Sequence, residues 1–400
     1  MLVQFRFRNF GPFKDEAVLD MRAIKAYKEH PYNLHKEENG DDLLKVVAIY
    51  GANASGKTKC IAAYSAFLQL IRRSFSMNDK GEKQSVLARH YIPFMLDHSS
   101  REENGEFEGV YHDDGQEYRY GFVFDEKSIK YEWLYKKSLT TRRQVRILER
   151  GPEGFELGAS VRESCGKYLS DIDGDVLALS FFSSLKLKNP VFKKVVQCVA
   201  GVVPVFISSN EEINDVLRVY FEDFSDAEKR DLLAFLHAID VGIKDIEVEK
   251  SESNLMVYTY HIGKDNKRHM LTLGLESDGT RRAIAFYSAV QIALQQGNCL
   301  MIDEFNNQLH PLLQKYIVDL FYAENTQGQL IYTTHDTSLL DKQFMRRDQI
   351  WFANKNEVGE SSLYSLAEFK IRNDKSFEKD YLGGVYGGIP NLKDFSFTEG

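Results

Sequence analysis

The chain opens on alternation, with Leu2, Val3, Phe5 and Phe7 set among Gln4, Arg6 and Arg8. A turn signal at Gly11 and Pro12 and a second short run, Ala17-Val-Leu-Asp-Met, complete a predicted hairpin over residues 2–20. Residues 43–50, Leu-Leu-Lys-Val-Val-Ala-Ile-Tyr, are mostly apolar and stop at Gly51, the pattern of a strand covered on both faces in a parallel sheet. From Thr58 to about Arg72, Ala, Leu and Ile recur at helical spacing. Between about 105 and 158 the period returns to two, rich in Tyr, Phe and Val, with turn signals at Asp113-Asp-Gly115 and Gly151-Pro-Glu-Gly154. That stretch predicts an antiparallel β subdomain inserted after the first helix.

From about 159 to 247 the pattern shifts toward helices, for example over residues 227–236, and sustained heptads are absent. An insert of this size is too short for a long coiled-coil arm. From about 270 apolar runs resume, ending at Asp303, Thr334 and Phe352, with helical segments expected between them. Runs separated by helices are the βαβ sign of a mainly parallel sheet. The reading is an α/β fold, a mainly parallel sheet with an inserted antiparallel β subdomain and a helical lobe, in four parts: residues 1–104 as the first half of the main domain, 105–158 as the β insert, 159–269 as a helical or mixed lobe, and 270–400 as the second half.

Composition narrows the class. Four hundred residues, 43% hydrophobic and 28% charged, suffice for a substantial core. A net charge of −8 requires any DNA contact to come from a local basic patch. Cys60, Cys165, Cys198 and Cys299 lack Cys-x-x-Cys spacing, which argues against zinc and against a disulfide framework and suits a reduced, cytoplasmic setting. The N-terminus lacks the apolar stretch of a signal peptide, and no run reaches the roughly 18 apolar residues of a membrane span. No membrane association is expected of this chain.

The apolar run ending at Tyr50 is followed by Gly-Ala-Asn-Ala-Ser-Gly-Lys-Thr over residues 51–58. Gly51 and Gly56 let the backbone wrap a phosphate with its N–H groups unobstructed, and Asn53 and Ser55 complete the expected ATP-binding loop. Lys57 would place a point charge on the β- and γ-phosphates, and Thr58 a hydroxyl on magnesium. Asp303 and Glu304 end a buried strand, where two acids are expensive unless they serve a cation or a water. Asp303 is the expected magnesium partner, and Glu304 the group that polarises the attacking water.

Ser277 and Gly279 begin a predicted helix 26 residues ahead of Asp303. A hydroxyl, an unhindered amide and a helix N-terminus together favour an anion, although an ordinary helix cap would use the same residues. His335 ends the strand after the acidic one, where an imidazole can reach a γ-phosphate. His310 either lines a seam between copies or helps start the helix after Pro311. Lys370, Arg372, Lys375 and Lys379 lead into a Gly- and Tyr-rich tail, residues 381–390. It reads either as a solvated helix face followed by a structured tail, or as a docking surface with tyrosine anchors for a partner.

Taken together, residues 9–14, 51–58, 276–280, 303–311, 334–335 and 381–390 resemble bacterial ABC-type ATPases of the AAA_15 group. That group holds the Rlo-type and abortive-infection ATPases, with RecF, overcoming-lysogenisation-defect proteins and SMC-superfamily heads as more distant kin. The resemblance implies Lys57 and Thr58 as ATP and Mg2+ ligands, Glu304 as catalytic base, His335 as switch histidine and Ser277 as a signature serine acting on ATP held by another copy. It implies a homodimer of heads or a higher homo-oligomer, and phage defence beside a separately encoded effector, commonly a TOPRIM-type nuclease or a toxin. No nuclease activity is expected in this chain. Two other readings share the site: a RecF-like repair ATPase that clamps DNA, and a slow-turnover scaffold that sequesters a toxin. The glutamine that joins the magnesium site to the helical lobe in that group has only Gln84 as a candidate here.

Overall fold

The computed structural model describes residues 1–75, 86–207, 209–239, 241–251, 254–307, 309–324, 326–372 and 375–389; Gln84 and the last residue of the tail motif lie outside them. At its centre is a six-stranded sheet. Five parallel strands run in the order Val202–Val205, Cys299–Ile302, Gln329–Thr334, Val46–Tyr50 and Ile350–Lys355. Ser361–Ser365 adds an antiparallel edge beside the last.

The reason strand Val46–Tyr50 is apolar at every position is visible in what covers it. Val47 and Ile49 face one hydrophobic core, whereas Val46, Ala48 and Tyr50 face a second. All five are fully buried. Completely burying one such side chain contributes on the order of 1.5–3 kcal/mol.

The first core lies under a seven-stranded antiparallel sheet. Its strands Gly105–Asp113, Gln116–Phe124, Ile129–Ser138, Gln144–Gly151 and Gly154–Leu157 continue directly into the N-terminal hairpin, Leu2–Arg8 with Ala17–Asp20, through pairing of Leu2–Arg8 with Gly105–Asp113. The β insert is therefore one surface with the hairpin. Helix Lys57–Arg73 is wedged between this sheet and the parallel one, with Phe67 stacked on Phe122 (ring centroids 5.6 Å) and tilted onto Phe5 (5.7 Å). The insert is also stitched to the helices beyond it. Glu132, 1% exposed, accepts from the Tyr120 hydroxyl (2.9 Å) and from the amides of Ala178 (2.8 Å) and Leu179 (2.9 Å) at the start of helix Ala178–Ser184.

The second core packs helices Asp278–Gln296 and Pro311–Tyr322 on the other face of the parallel sheet. Against Asp278–Gln296 lie helices Asn210–Glu222 and Asp226–Ala238, each opened by a serine capping box. A three-stranded sheet, Asp245–Ser251, Asn254–Ile262 and Arg268–Thr272, stands beside them.

Two features depart from the sequence reading. The strand Val202–Val205 lies within the stretch read as helical or mixed, yet it forms an edge of the core sheet; Pro204 is tolerated because an edge strand leaves half its amides unpaired. The chain between Thr334 and Ile350 contains no α-helix. It turns instead on Asp336, which accepts from the Ser338 amide, and on Asp341, which accepts from the Gln343 amide.

Candidate functional site

Register brings the chemistry together. Thr333 and Thr334 pair with Ile49 and Tyr50, and Ile302 pairs with Tyr332. Three adjacent parallel strands thus end side by side, so Gly51, Asp303 and His335 start neighbouring loops at one edge of the sheet. In open α/β sheets this carboxyl edge is where ligands bind.

The phosphate loop has a physical reason for both glycines. A Cβ on Gly51 would collide with the Ala353 carbonyl oxygen and sit 2.6 Å from Ser55 Oγ. Gly56 has φ 109°, and a Cβ there would lie 2.9 Å from Ser361 Oγ and 3.0 Å from the Phe13 ring. Gly56 also precedes helix Lys57–Arg73, whose first-turn amides open into the loop. Ser55 Oγ is buried without a hydrogen-bond partner, a polar atom available to a ligand. Asn53 and Thr58 are exposed, at the loop tip and in the first helical turn.

Lys57 is nearly buried, its ammonium donating to the carbonyls of Gly51 (2.7 Å) and Ala52 (2.9 Å). Burial pulls its pKa down, and the negative charges of Asp303 and Glu304 oppose that shift. The lysine and the two acids therefore share one electrostatic site.

Asp303 and Glu304 are fixed by a residue that the sequence reading did not single out. Thr333, fully buried, donates its hydroxyl proton to Asp303 Oδ1 (2.6 Å) and accepts from the Glu304 amide (2.8 Å). Glu304 has φ 51°, a left-handed backbone that costs a non-glycine residue about 1–3 kcal/mol. Neighbouring contacts hold it there. The Phe305 amide donates to the Thr333 carbonyl (2.9 Å), and the buried Phe305 ring sits 4.9 Å from that of Tyr332. The bend leaves the Glu304 side chain exposed while Asp303 stays partly buried.

Asn306 is the second such residue. Its Oδ1 faces the His335 amide (3.4 Å), which can only donate, and accepts from the Thr334 hydroxyl (2.9 Å). Its amide nitrogen then lies against the imidazole, 3.0 Å from His335 Nε2 and 3.5 Å from Nδ1, which packs the ring on the Asn306 side chain. Asn306 couples the acidic turn to the histidine. Both it and Thr333 were open to view in the sequence, but nothing local marks a polar residue for a partner about 30 positions away.

Ser277 and Gly279 stand apart from this cluster. Ser277 is exposed and caps helix Asp278–Gln296, its Oγ accepting from the Thr280 amide (3.1 Å) and meeting the Thr280 hydroxyl (2.8 Å). Gly279 has only Ser277 Oγ near where a Cβ would be, at 3.9 Å. The preceding Glu276 is pinned to the three-stranded sheet, accepting from Thr259 Oγ1 and lying 2.7 Å from His261 Nε2. His310 caps helix Pro311–Tyr322, with Nδ1 accepting from the Leu312 amide at 3.2 Å.

The tail's tyrosines are not the exposed anchors that its reading as a docking surface supposed. Tyr381 and Tyr386 are 4% and 3% exposed and belong to the second core, because their rings stack on Phe352 rather than project outward. The alternative reading, a structured tail, describes them.

No helix among the described residues is long and apolar enough to cross a membrane. Comparison with curated proteins finds no match. Among solved structures the chain is similar to the SMC head domain from Thermotoga maritima, at 11% identity over 92% of this chain and 99% of that one, with a TM-score of 0.40. It is also similar to an SMC head bound to the C-winged helix domain of ScpA, at 14% identity over 95% and 99%, with a TM-score of 0.44. The P-loop NTPase fold stands on the strand order and the phosphate loop, independently of these likenesses. A protein-family profile matches residues 46–341, from the strand before the phosphate loop to beyond the histidine, and on that match the chain belongs to AAA_21, described as AAA domain, putative AbiEii toxin, type IV TA system.

Proposed function

We propose that the chain is a magnesium-dependent ATPase in which ATP joins two heads, and that this cycle controls a separately encoded effector, a nuclease or a toxin, in antiphage defence. The observation that carries the reading is the register that sets Lys57, the Asp303–Glu304 turn and His335 on adjoining strand ends. Lys57 and the loop amides bind the triphosphate. Ser55, with its unpartnered buried oxygen, takes one further contact in the loop. Magnesium would be held by Thr58 and Asp303, and would supply neutralisation of phosphate charge. Glu304, turned outward by its backbone, accepts a proton from the attacking water, and His335, held against Asn306, donates a ring N–H to the terminal phosphate and so senses its loss. Ser277 and Gly279 cap ATP bound to the other head, using a helix N-terminus aimed at solvent.

The family's description, a putative toxin of a type IV TA system, supports a setting in which such a chain works with a second protein. Purified chain should hydrolyse ATP and leave DNA and RNA intact, while a co-expressed effector co-purifies with it. Glu304→Gln should trap a nucleotide-bound dimer, read by light scattering with ATP and Mg2+. A variant that binds ATP yet stays monomeric would sink the head-joining reading; DNA-stimulated turnover with a preference for ends or gaps would favour a repair clamp instead.

A further inference from the structure

The Gly- and Tyr-rich tail remains to be explained, and it touches the site described above at two places. The ring of Tyr381, on helix Phe377–Leu382, stacks on Phe352 (centroids 5.3 Å, 17° between planes) and tilts onto Tyr50 (6.1 Å), the residue just before the phosphate loop. The Tyr381 hydroxyl donates to the Gly388 carbonyl (3.0 Å), and the Gly388 amide donates to Asn354 Oδ1 (3.2 Å). Gly387 and Gly388 have φ of 71° and 67°, a pair of left-handed residues that only glycine adopts readily. They let the backbone turn back until a Cβ on Gly388 would stand 3.7 Å from the Cα of Gly51 and 3.5 Å from the Ala353 oxygen. At the other end of the helix, Glu378 accepts from the Thr337 hydroxyl (2.8 Å), two residues past His335.

We propose that residues 377–389 are a positioning element of the nucleotide site, which braces the first turn of the phosphate loop through Tyr381 and the Gly387–Gly388 turn and ties it to the loop after His335. The proposal rests on the ATPase reading for its consequence, though not for its geometry. Tyr50 and Gly51 have no freedom to settle independently of the tail, because Tyr381 and Gly388 occupy the space beside them. By linkage, whatever the docked tail contributes to nucleotide affinity, bound nucleotide returns to tail docking. A partner that pulled on this tail would then loosen ATP without touching it.

The test uses the full chain with Tyr381→Phe, which deletes only the hydroxyl on Gly388, and Gly388→Ala, which puts a Cβ on a left-handed backbone. Tyr120→Phe is the control, since it deletes a buried tyrosine hydroxyl in the antiparallel sheet. Hydrogen exchange of nucleotide-free protein should speed up at residues 51–58 in both tail variants and stay at the parental rate in the control. Affinity for a non-hydrolysable ATP analogue should fall roughly 5- to 30-fold in the tail variants alone, a typical span for coupled sites. Unchanged exchange over 51–58 and unchanged affinity, with a melting temperature lowered as much as in Tyr120→Phe, would reduce the tail to packing and overturn the proposal. Faster exchange at 51–58 in a protein whose parent binds no ATP would uphold the positioning and overturn the ATPase reading.

Discussion

The phosphate-loop corner and the Ser277 helix start are both built to meet an anion, but they are finished to different degrees. At the corner the charged groups and the histidine are held in place by hydrogen bonds, most of them from neighbouring segments of the fold. Lys57 bonds the loop's own carbonyls, Thr333 locks Asp303 and Glu304, and Asn306 orients His335. At Ser277 the hydroxyl bonds only within its own turn and faces solvent. The corner is assembled within one chain by strand register, whereas an exposed helix start can contribute to catalysis only by meeting something outside it. The difference is what the proposed dimer would use, and it can be attacked from either side.

The largest effect should come from the corner. Lys57→Ala should abolish measurable ATP binding in calorimetry, while Glu304→Gln should keep the affinity and slow phosphate release by roughly 10²–10⁴-fold, the usual worth of a general base. Parental turnover in Glu304→Gln would remove that residue from the chemistry. Next comes the link between the two regions. Ser277→Arg and Lys57→Ala, each inactive alone, should regain part of the parental rate when mixed, since one composite site in the mixed dimer is intact. Mixed dimers with no activity would make Ser277 a cap and nothing more.

A smaller loss is expected at the support. Thr333→Val should lower kcat by about 10- to 100-fold, as removal of a partner that orients a ligand residue commonly does, with analogue binding retained; Thr333→Ser should recover most of it. Equal rates for the valine and serine forms would show that the hydroxyl does no orienting. On the other side of the comparison, Ser277→Ala removes a helix cap and should cost about 1 kcal/mol in denaturant unfolding. The decisive reading is whether turnover falls further than that small loss of stability explains.

The smallest effect concerns pH. Burial lowers the pKa of Lys57 below its ordinary 10.5. Between those two values the unfolded chain binds more protons at this residue than the folded one, so folding stability contributed here rises with pH. Relative to Lys57→Met, the parent should gain stability as pH climbs through that window; parallel pH profiles would place the ammonium in a better-solvated position than its burial implies.

The sequence by itself determined the parts whose physics is local. A mostly apolar run before a glycine loop, a helix after it, alternation through 105–158 and capped amphipathic helices each need only neighbours in the chain, and each appears in the structure. Lys57, Thr58, Asp303, Glu304 and His335 were legible as candidates for the same reason, since motif spacing is a local property. What only the tertiary structure decided were pairings between distant segments. Pro204 hid an edge strand, Thr333 and Asn306 acquired meaning when strand 329–334 came to lie between the acidic strand and the loop strand, and the tail tyrosines turned inward. Tyr381 shows why. An amphipathic ring beside glycines is equally suited to a partner's surface or to its own core, and the choice is made by whether the fold leaves an aromatic face to cover. Here Phe352 and Tyr50 supplied one, 302 residues of chain apart.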